Sequence, residues 1–257
     1  MRLVFAALIG ACPLILSAQE IKIGSENDKP IEEKLVYHHQ NTFNIALHSQ
    51  GLGAGFKIGK IKSIYKTTNW ETEFLSIHSP KEIRIVNSTE YNARPFVYGK
   101  LNSVFAVRFG YGAERQLFGK PYWGGAETRW NYEAGVSLAV LKPYYYYVTV
   151  YQANEDGSYE EIITEQTFDQ SGQWSNILGR SSFFKGIGES SFSPGLHVKT
   201  GLSFDFSASR SSIKALNVGM VAEAYPMGVS IMDGQTNKWL YLTFYVSYNW
   251  GSRFNKY

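Results

Sequence analysis

The chain has 257 residues, 44% hydrophobic, 16% aromatic and only 18% charged, a composition with far too much apolar surface for ordinary disorder. A single Cys excludes an intrachain disulfide or a cysteine-rich zinc centre, and a net charge of +3 with basic and acidic residues interspersed excludes a nucleic-acid stripe. Mean hydropathy is −0.23 and no long apolar run follows the N-terminus, so a helical membrane protein is disfavoured and a soluble β protein or a membrane barrel is left.

The N-terminus is expected to be a secretory signal over residues 1–18. Arg2 supplies the positive start, Leu3 to Leu16 is apolar apart from Cys12-Pro13, and small Ser17-Ala18 precede polar Gln19-Glu20. The apolar stretch falls short of the roughly 20 residues a helical anchor needs. Ile9-Gly10-Ala11-Cys12 loosely matches a lipoprotein signal and stays open as the alternative. Residues 19–42 are charged and unpatterned, and are expected to form a periplasmic N-terminal tail.

From Phe43 the dominant period is two, the period of strands. Phe43, Ile45 and Leu47 alternate on one parity and Leu52, Ala54, Phe56 and Ile58 on the other, which places a turn near Ser49-Gln50-Gly51 and splits the segment into two strands. Tyr65 to His78 sets Trp70 and Phe74 against Glu71 and Glu73, with its parity muddied by Leu75 and Ile77. Phe105, Val107, Phe109 and Tyr111 oppose Ala106, Arg108, Gly110 and Gly112. In Thr128 to Leu141, Trp130, Tyr132, Ala134, Val136, Leu138 and Val140 oppose a polar or small face. Leu196 to Phe206, Leu216 to Ala224 and Leu240 to Trp250 repeat the pattern, for a total of eight strands.

Connection lengths support the count. From Gly59 to Ile64 onward, short and long connections alternate, with long ones at Ser79 to Lys100 and Lys142 to Gly195. Short turns on one side and long loops on the other are the habit of transmembrane barrels, with the short set periplasmic. The fold class expected is therefore all-β, a closed antiparallel up-and-down transmembrane barrel spanning 43–257, with a long extracellular loop at 142–195. Tyr144 to Tyr147 pairing with Glu160 to Phe168 would make ten strands if that hairpin lay in the bilayer.

The face opposite the greasy one decides which solvent the greasy face meets. A sandwich would carry Lys, Glu, Gln and Thr there. The chain instead places Gly53, Gly55, Gly110, Gly135, Ser137, Gly201, Ser203 and Gly219 there, with scattered single charges, which suits the crowded interior of a narrow barrel. Those charges form the candidate site, an interior network of Lys57, Glu71, Glu73, Arg108, Arg129, Glu133, Lys199, Asp205 and Glu223. Within it Glu133 is expected to partner Arg129 or Arg108. Trp70, Tyr111, Trp123, Trp130, Tyr132, Tyr248 and Trp250 gather toward strand ends, where an amphipathic ring sits well at a headgroup boundary.

The segments RWNYEAGVSLAVLKPYYYYV, GLHVKTGLSFDFS and WLYLTFYVSYNWGSRF resemble the small outer-membrane β-barrel proteins of Gram-negative bacteria, the broad group of opacity-type and OmpA-like barrels. The resemblance covers about Phe43 to Phe254 and rests on pattern. It implies an outer-membrane location, contact with outer-membrane lipid including lipopolysaccharide, and recognition of the aromatic final strand by the barrel assembly machinery, with Phe254 or Tyr257 as terminal aromatic.

No catalytic motif is present, and no catalytic, cofactor-binding or metal residues are expected. Gly51-Leu52-Gly53-Ala54-Gly55 lacks the dinucleotide-binding spacing. His38-His39 is a weak metal candidate. His48-Ser49 and His78-Ser79 invite comparison with outer-membrane lipid deacylases, but such pairs arise readily by chance, and Asn87-Ser88-Thr89 is a sequon by letters only. The long loop holds Trp174 and Phe183-Phe184 and is expected to fold over the mouth or dock on an unknown extracellular ligand. The function expected is a non-enzymatic scaffold or surface binder. A lipid-modifying enzyme, a narrow channel and a soluble lipocalin-like periplasmic barrel are the alternatives, and no nucleic-acid partner is expected.

Overall fold

The computed structural model describes residues 37–89, 93–120, 125–153, 159–169, 174–234 and 238–255. The expected signal at 1–18, residues 19–36 of the expected tail, Trp123 and Tyr257 lie outside the described residues. In chain order the strands are β1 (His39–His48), β2 (Gly51–Ser63), β3 (Lys66–Ile77), β4 (Arg84–Ile85), β5 (Phe96–Val97), β6 (Asn102–Phe118), β7 (Glu127–Pro143), β8 (Tyr145–Ala153), β9 (Tyr159–Thr167), β10 (Ile177–Arg180), β11 (Ser191–Asp205), β12 (Ser212–Val229) and β13 (Lys238–Phe254).

Eight of these close into an antiparallel barrel in the order β1-β13-β12-β11-β7-β6-β3-β2. Every barrel strand pairs with its chain neighbour in the ring, and the seam is sealed by β1 against β13, from His39 opposite Phe254 to His48 opposite Tyr245. No edge is left to template aggregation. The turn at Ser49-Gln50 separates β1 from β2, where the parity of apolar residues switches. β4 and β5 form a small hairpin inside the first long connection, while β10-β8-β9 form a separate three-stranded sheet inside the second. The Tyr144 to Tyr147 run therefore belongs to a loop-borne sheet, and the barrel has eight strands. The long connection is shorter than 142–195, because β7 runs through Pro143 and β11 begins at Ser191.

β1 starts at His39, four residues before Phe43. Gln40 and Thr42 point inward and are buried, yet His39 and Asn41 on the other face are polar too, so no apolar alternation marks this end of the strand.

The two faces of the wall are inverted relative to a soluble protein. Phe43, Ile45 and Leu47 on β1 are 52, 56 and 62% exposed, while Asn44, Ala46 and His48 between them are buried. The same inversion runs round the ring through Leu52, Ile58, Phe74, Phe109, Val136, Leu196, Val198, Leu242 and Phe244, all exposed. A continuous apolar belt of this extent has no place in water, and it is the surface a bilayer covers. Toward the end of the short turns the belt ends in aromatics. Trp70 packs on Phe109 and Tyr111, Trp130 on Tyr132, and Trp250 on Tyr248 and Phe43.

Close approach of strands explains two glycines. Gly135 faces Gly110 across β7 and β6, and a Cβ there would strike the Phe109 carbonyl; Gly219 faces Gly201, and a Cβ there would strike the Thr200 carbonyl.

Candidate functional site

The lumen is filled in three layers, set by which inward residues each strand brings to each height. Nearest the short turns are amides and hydroxyls, including Gln40, Thr42, Asn69, Asn131, Asn217 and Asn249. Two ion pairs sit among them. Arg129 Nε meets Glu127 at 2.6 Å, and Arg253 Nη2 meets Asp205 at 2.7 Å, while Asp205 also accepts from the Ser207 amide at 2.9 Å. Between these groups lies a cavity of about 20 Å³, room for about one water.

The middle layer is ionic and buried. Arg108 extends from β6 across the lumen to β12, three strands round the ring, where its Nε and Nη2 donate to the two carboxylate oxygens of Glu223 at 2.8 and 2.9 Å. Its Nη1 donates to Glu73 on β3 at 3.0 Å. Lys199 from β11 bridges Glu71 at 2.8 Å and Glu73 at 3.3 Å and lies over the Tyr245 ring. Lys57 meets Glu71 at 3.2 Å and Glu114 at 3.5 Å. His48 Nε2 is 3.0 Å from Glu73, and His197 Nε2 is 3.3 Å from Glu133. The Tyr225 hydroxyl donates to Glu223 at 3.1 Å.

Seven of the nine sequence-predicted residues, Lys57, Glu71, Glu73, Arg108, Glu133, Lys199 and Glu223, thus share one connected cluster, Glu133 joining it through its contact with Glu71. Arg129 and Asp205 sit apart in the lower layer. The expected pairing of Glu133 with Arg129 or Arg108 is not formed, since Arg129 takes Glu127, Arg108 takes Glu73 and Glu223, and Glu133 faces His197. The physical reason is stagger. Glu133, on β7, lies folded over Gly110 of β6, where a Cβ would collide with its carboxylate; Gly110 lies opposite Glu71 of β3, so the Glu133 carboxylate leans away from β11 and His197 reaches across from β11 to meet it. Replacing Glu133 with Leu is therefore expected to cost about 1–3 kcal/mol, the penalty of stripping His197 of its acceptor. Urea unfolding in vesicles reads this directly; a loss as large as that of an Arg108 variant would contradict the pairing.

The upper layer, toward the long loops, is apolar. Leu75 and Ile77 keep the parity of Glu71 and Glu73 and point inward, where they join Val104, Leu141, Tyr225, Val229 and Tyr241 in one core. Above it the β8–β10 sheet and the β4–β5 hairpin share a smaller core of Phe96, Tyr144, Tyr146 and Ile177. Tyr146 ties them together, donating to the Val97 carbonyl at 2.7 Å and accepting from the Lys100 amide at 2.9 Å. Burial pushes its hydroxyl pKa up. On the same sheet Glu165 accepts from the Ser181 hydroxyl at 2.5 Å and pairs with Lys185 at 3.0 Å, contacts that hold its pKa below the usual carboxylate value.

The remaining chemical candidates have structural partners. His48 points into the lumen, away from lipid, and the Ser79 hydroxyl accepts from the Lys81 amide in a turn. His38 bonds Asn255 and His39 stacks on Phe254, so this pair clamps the barrel seam. Sequence reasoning missed Glu114, which has the parity of Arg108 but lies beyond Gly112, where the recognised alternation stopped. It also missed Glu127 and Arg253, at the ends of β7 and β13, beyond the stretches where the alternation was recognised.

No family model matches the chain, and no curated protein matches it. Among solved structures it is similar to Neisserial surface protein A at 12% identity (TM-score 0.39, covering 85% of this chain and 97% of that one). It is also similar to the N-terminal β-barrel domain of Pseudomonas aeruginosa OprF at 9% identity (TM-score 0.36, 85% and 98%). Ail, the attachment invasion locus protein of Yersinia pestis, is similar at 8% identity (TM-score 0.37, 86% and 100%).

Proposed function

We propose that this chain is a non-enzymatic barrel of the Gram-negative outer membrane that holds a folded loop assembly at the cell surface. The observation that carries the reading is the coincidence of a lipid-compatible outer belt with a lumen closed at two heights, by the Arg108 cluster and by the apolar core above it. A plugged wall is a support, and what it supports is the β8–β10 sheet and the β4–β5 hairpin. In this reading the short turns and both barrel termini face the periplasm, the aromatic end of β13 is the segment read by the barrel assembly machinery, and the loop sheet meets an extracellular ligand.

The test joins location to conductance. Detergent-only extraction, heat-modifiable migration and detection on intact cells of an epitope tag inserted between β8 and β9 are expected, together with no unit conductance in planar bilayers. Recovery in the soluble periplasmic fraction would promote the lipocalin-like alternative, and stepwise conductance would promote the channel. A changed lipid A acylation pattern on overexpression, abolished by His48→Ala, would promote the enzyme.

A further inference from the structure

We propose that the outside of the barrel wall at the long-loop end carries a binding site for a phosphate-bearing lipid headgroup of the adjoining leaflet. The proposal rests on the membrane reading above and adds a specific site to it. A cavity of about 530 Å³ lies there between the β3–β6 wall and the loops, floored by Phe96, Val97 and Phe105 and edged by Arg84, Lys100 and Arg180.

The charges of this rim do not balance locally. Lys100 is satisfied by Glu82 at 2.6 Å and Lys185 by Glu165 at 3.0 Å, while Glu189 accepts from the Tyr145 hydroxyl at 2.5 Å. Arg84, Arg180 and Lys142 are left with no carboxylate among the described residues. Lys142 is 6% exposed, and its ammonium donates to the carbonyls of Phe183 and Lys185 at 2.7 and 3.0 Å. Lys142 and Arg180 also converge on one ring, lying 5.1 and 5.7 Å from the centroid of Phe183. Gathering like charges at a half-dry surface is costly unless an anion completes the group.

The apolar half of the site fixes which anion fits. Phe183 packs edge-on against Phe105, which stands on the lipid-facing side of β6, and Phe184, Ile187 and Phe192 are exposed beside it. The cations are thus continuous with the belt that acyl chains cover. An inorganic anion would leave the aromatics unused, and an acyl chain alone would leave the guanidinium groups unpaired. A phosphorylated amphiphile matches both, its phosphate between Arg84 and Arg180, which line the cavity, and its chains on Phe105 and Phe183.

The probe is diphosphorylated lipid A, retained on the folded barrel in maltoside micelles and counted by native mass spectrometry. One retained lipid per barrel is expected. The R84Q/R180Q double variant, whose positions are exposed and outside the lumen, should weaken retention at least about tenfold. A K60Q/K66Q control at the opposite rim should retain it as the parent does. Equal retention of dephosphorylated lipid A, undiminished retention by R84Q/R180Q, or equal loss in the control would each overturn the site. Insertion into phosphatidylcholine vesicles, read by heat-modifiable migration, separates the two levels: a barrel that inserts but does not discriminate loses only this site, and a chain that does not insert loses the membrane reading as well.

Discussion

Replacing Arg108 with methionine is expected to cost about 3–5 kcal/mol, because it removes the one cation paired with Glu223 among the described residues and one of the partners of Glu73 while leaving both carboxylates buried. The geometry makes this the most consequential interior position. The guanidinium fork meets both oxygens of Glu223 and still has a donor for Glu73, an arrangement an ammonium cannot reproduce, so Arg108→Lys should recover only part of the loss. A compensated triple replacement, Arg108→Met with Glu73→Gln and Glu223→Gln, should be less harmful than Arg108→Met alone, since it removes the uncompensated charge that carries the penalty. Urea unfolding in vesicles, followed by the heat-modified band, measures all of these. If Arg108→Met unfolded at the parental midpoint, the cluster would contribute nothing to the closed lumen.

The barrel was legible because the solvent differs on its two faces and the strand period is two, so each strand from Phe43 onward announces which side meets which medium. The parity at Leu75 and Ile77 reads as muddied only under the assumption of a polar interior from end to end. The parity holds, and it is the interior that changes character toward the long loops. Partners within the lumen are a different matter. Alternation places Arg108 and Glu133 on the inner face, but which carboxylate Arg108 meets depends on the stagger between strands, and its partner Glu223 is 115 residues away. Nothing local in the chain encodes that distance. The loop sheet was half legible for the same reason: the tyrosine run signals β8, and its partner β9 follows closely, but β10 is only four residues long and pairs from the far side of the connection.

Replacing Val136 with arginine is expected to cost about 2–4 kcal/mol when the barrel is refolded into vesicles, the depth-dependent penalty of a cation near the bilayer midplane. Val136 lies in the middle of β7 with its side chain outward and 55% exposed, between Phe109 on β6 and Leu196 on β11. It touches no ionic group of the lumen, so its substitution leaves the Arg108 cluster intact and reports only on the medium outside. On the surface of a soluble sheet the same change would fall within about 0.5 kcal/mol of neutral. Thr128→Arg, on the same strand and face but near the short-turn end, supplies the comparison and should cost about 0–1 kcal/mol because its side chain reaches the headgroup level. The difference between the two positions carries the inference: a penalty that falls from Val136 to Thr128 locates the belt in a bilayer, whereas equal and small penalties would mean that Phe43, Val136, Leu196 and Phe244 face something other than lipid.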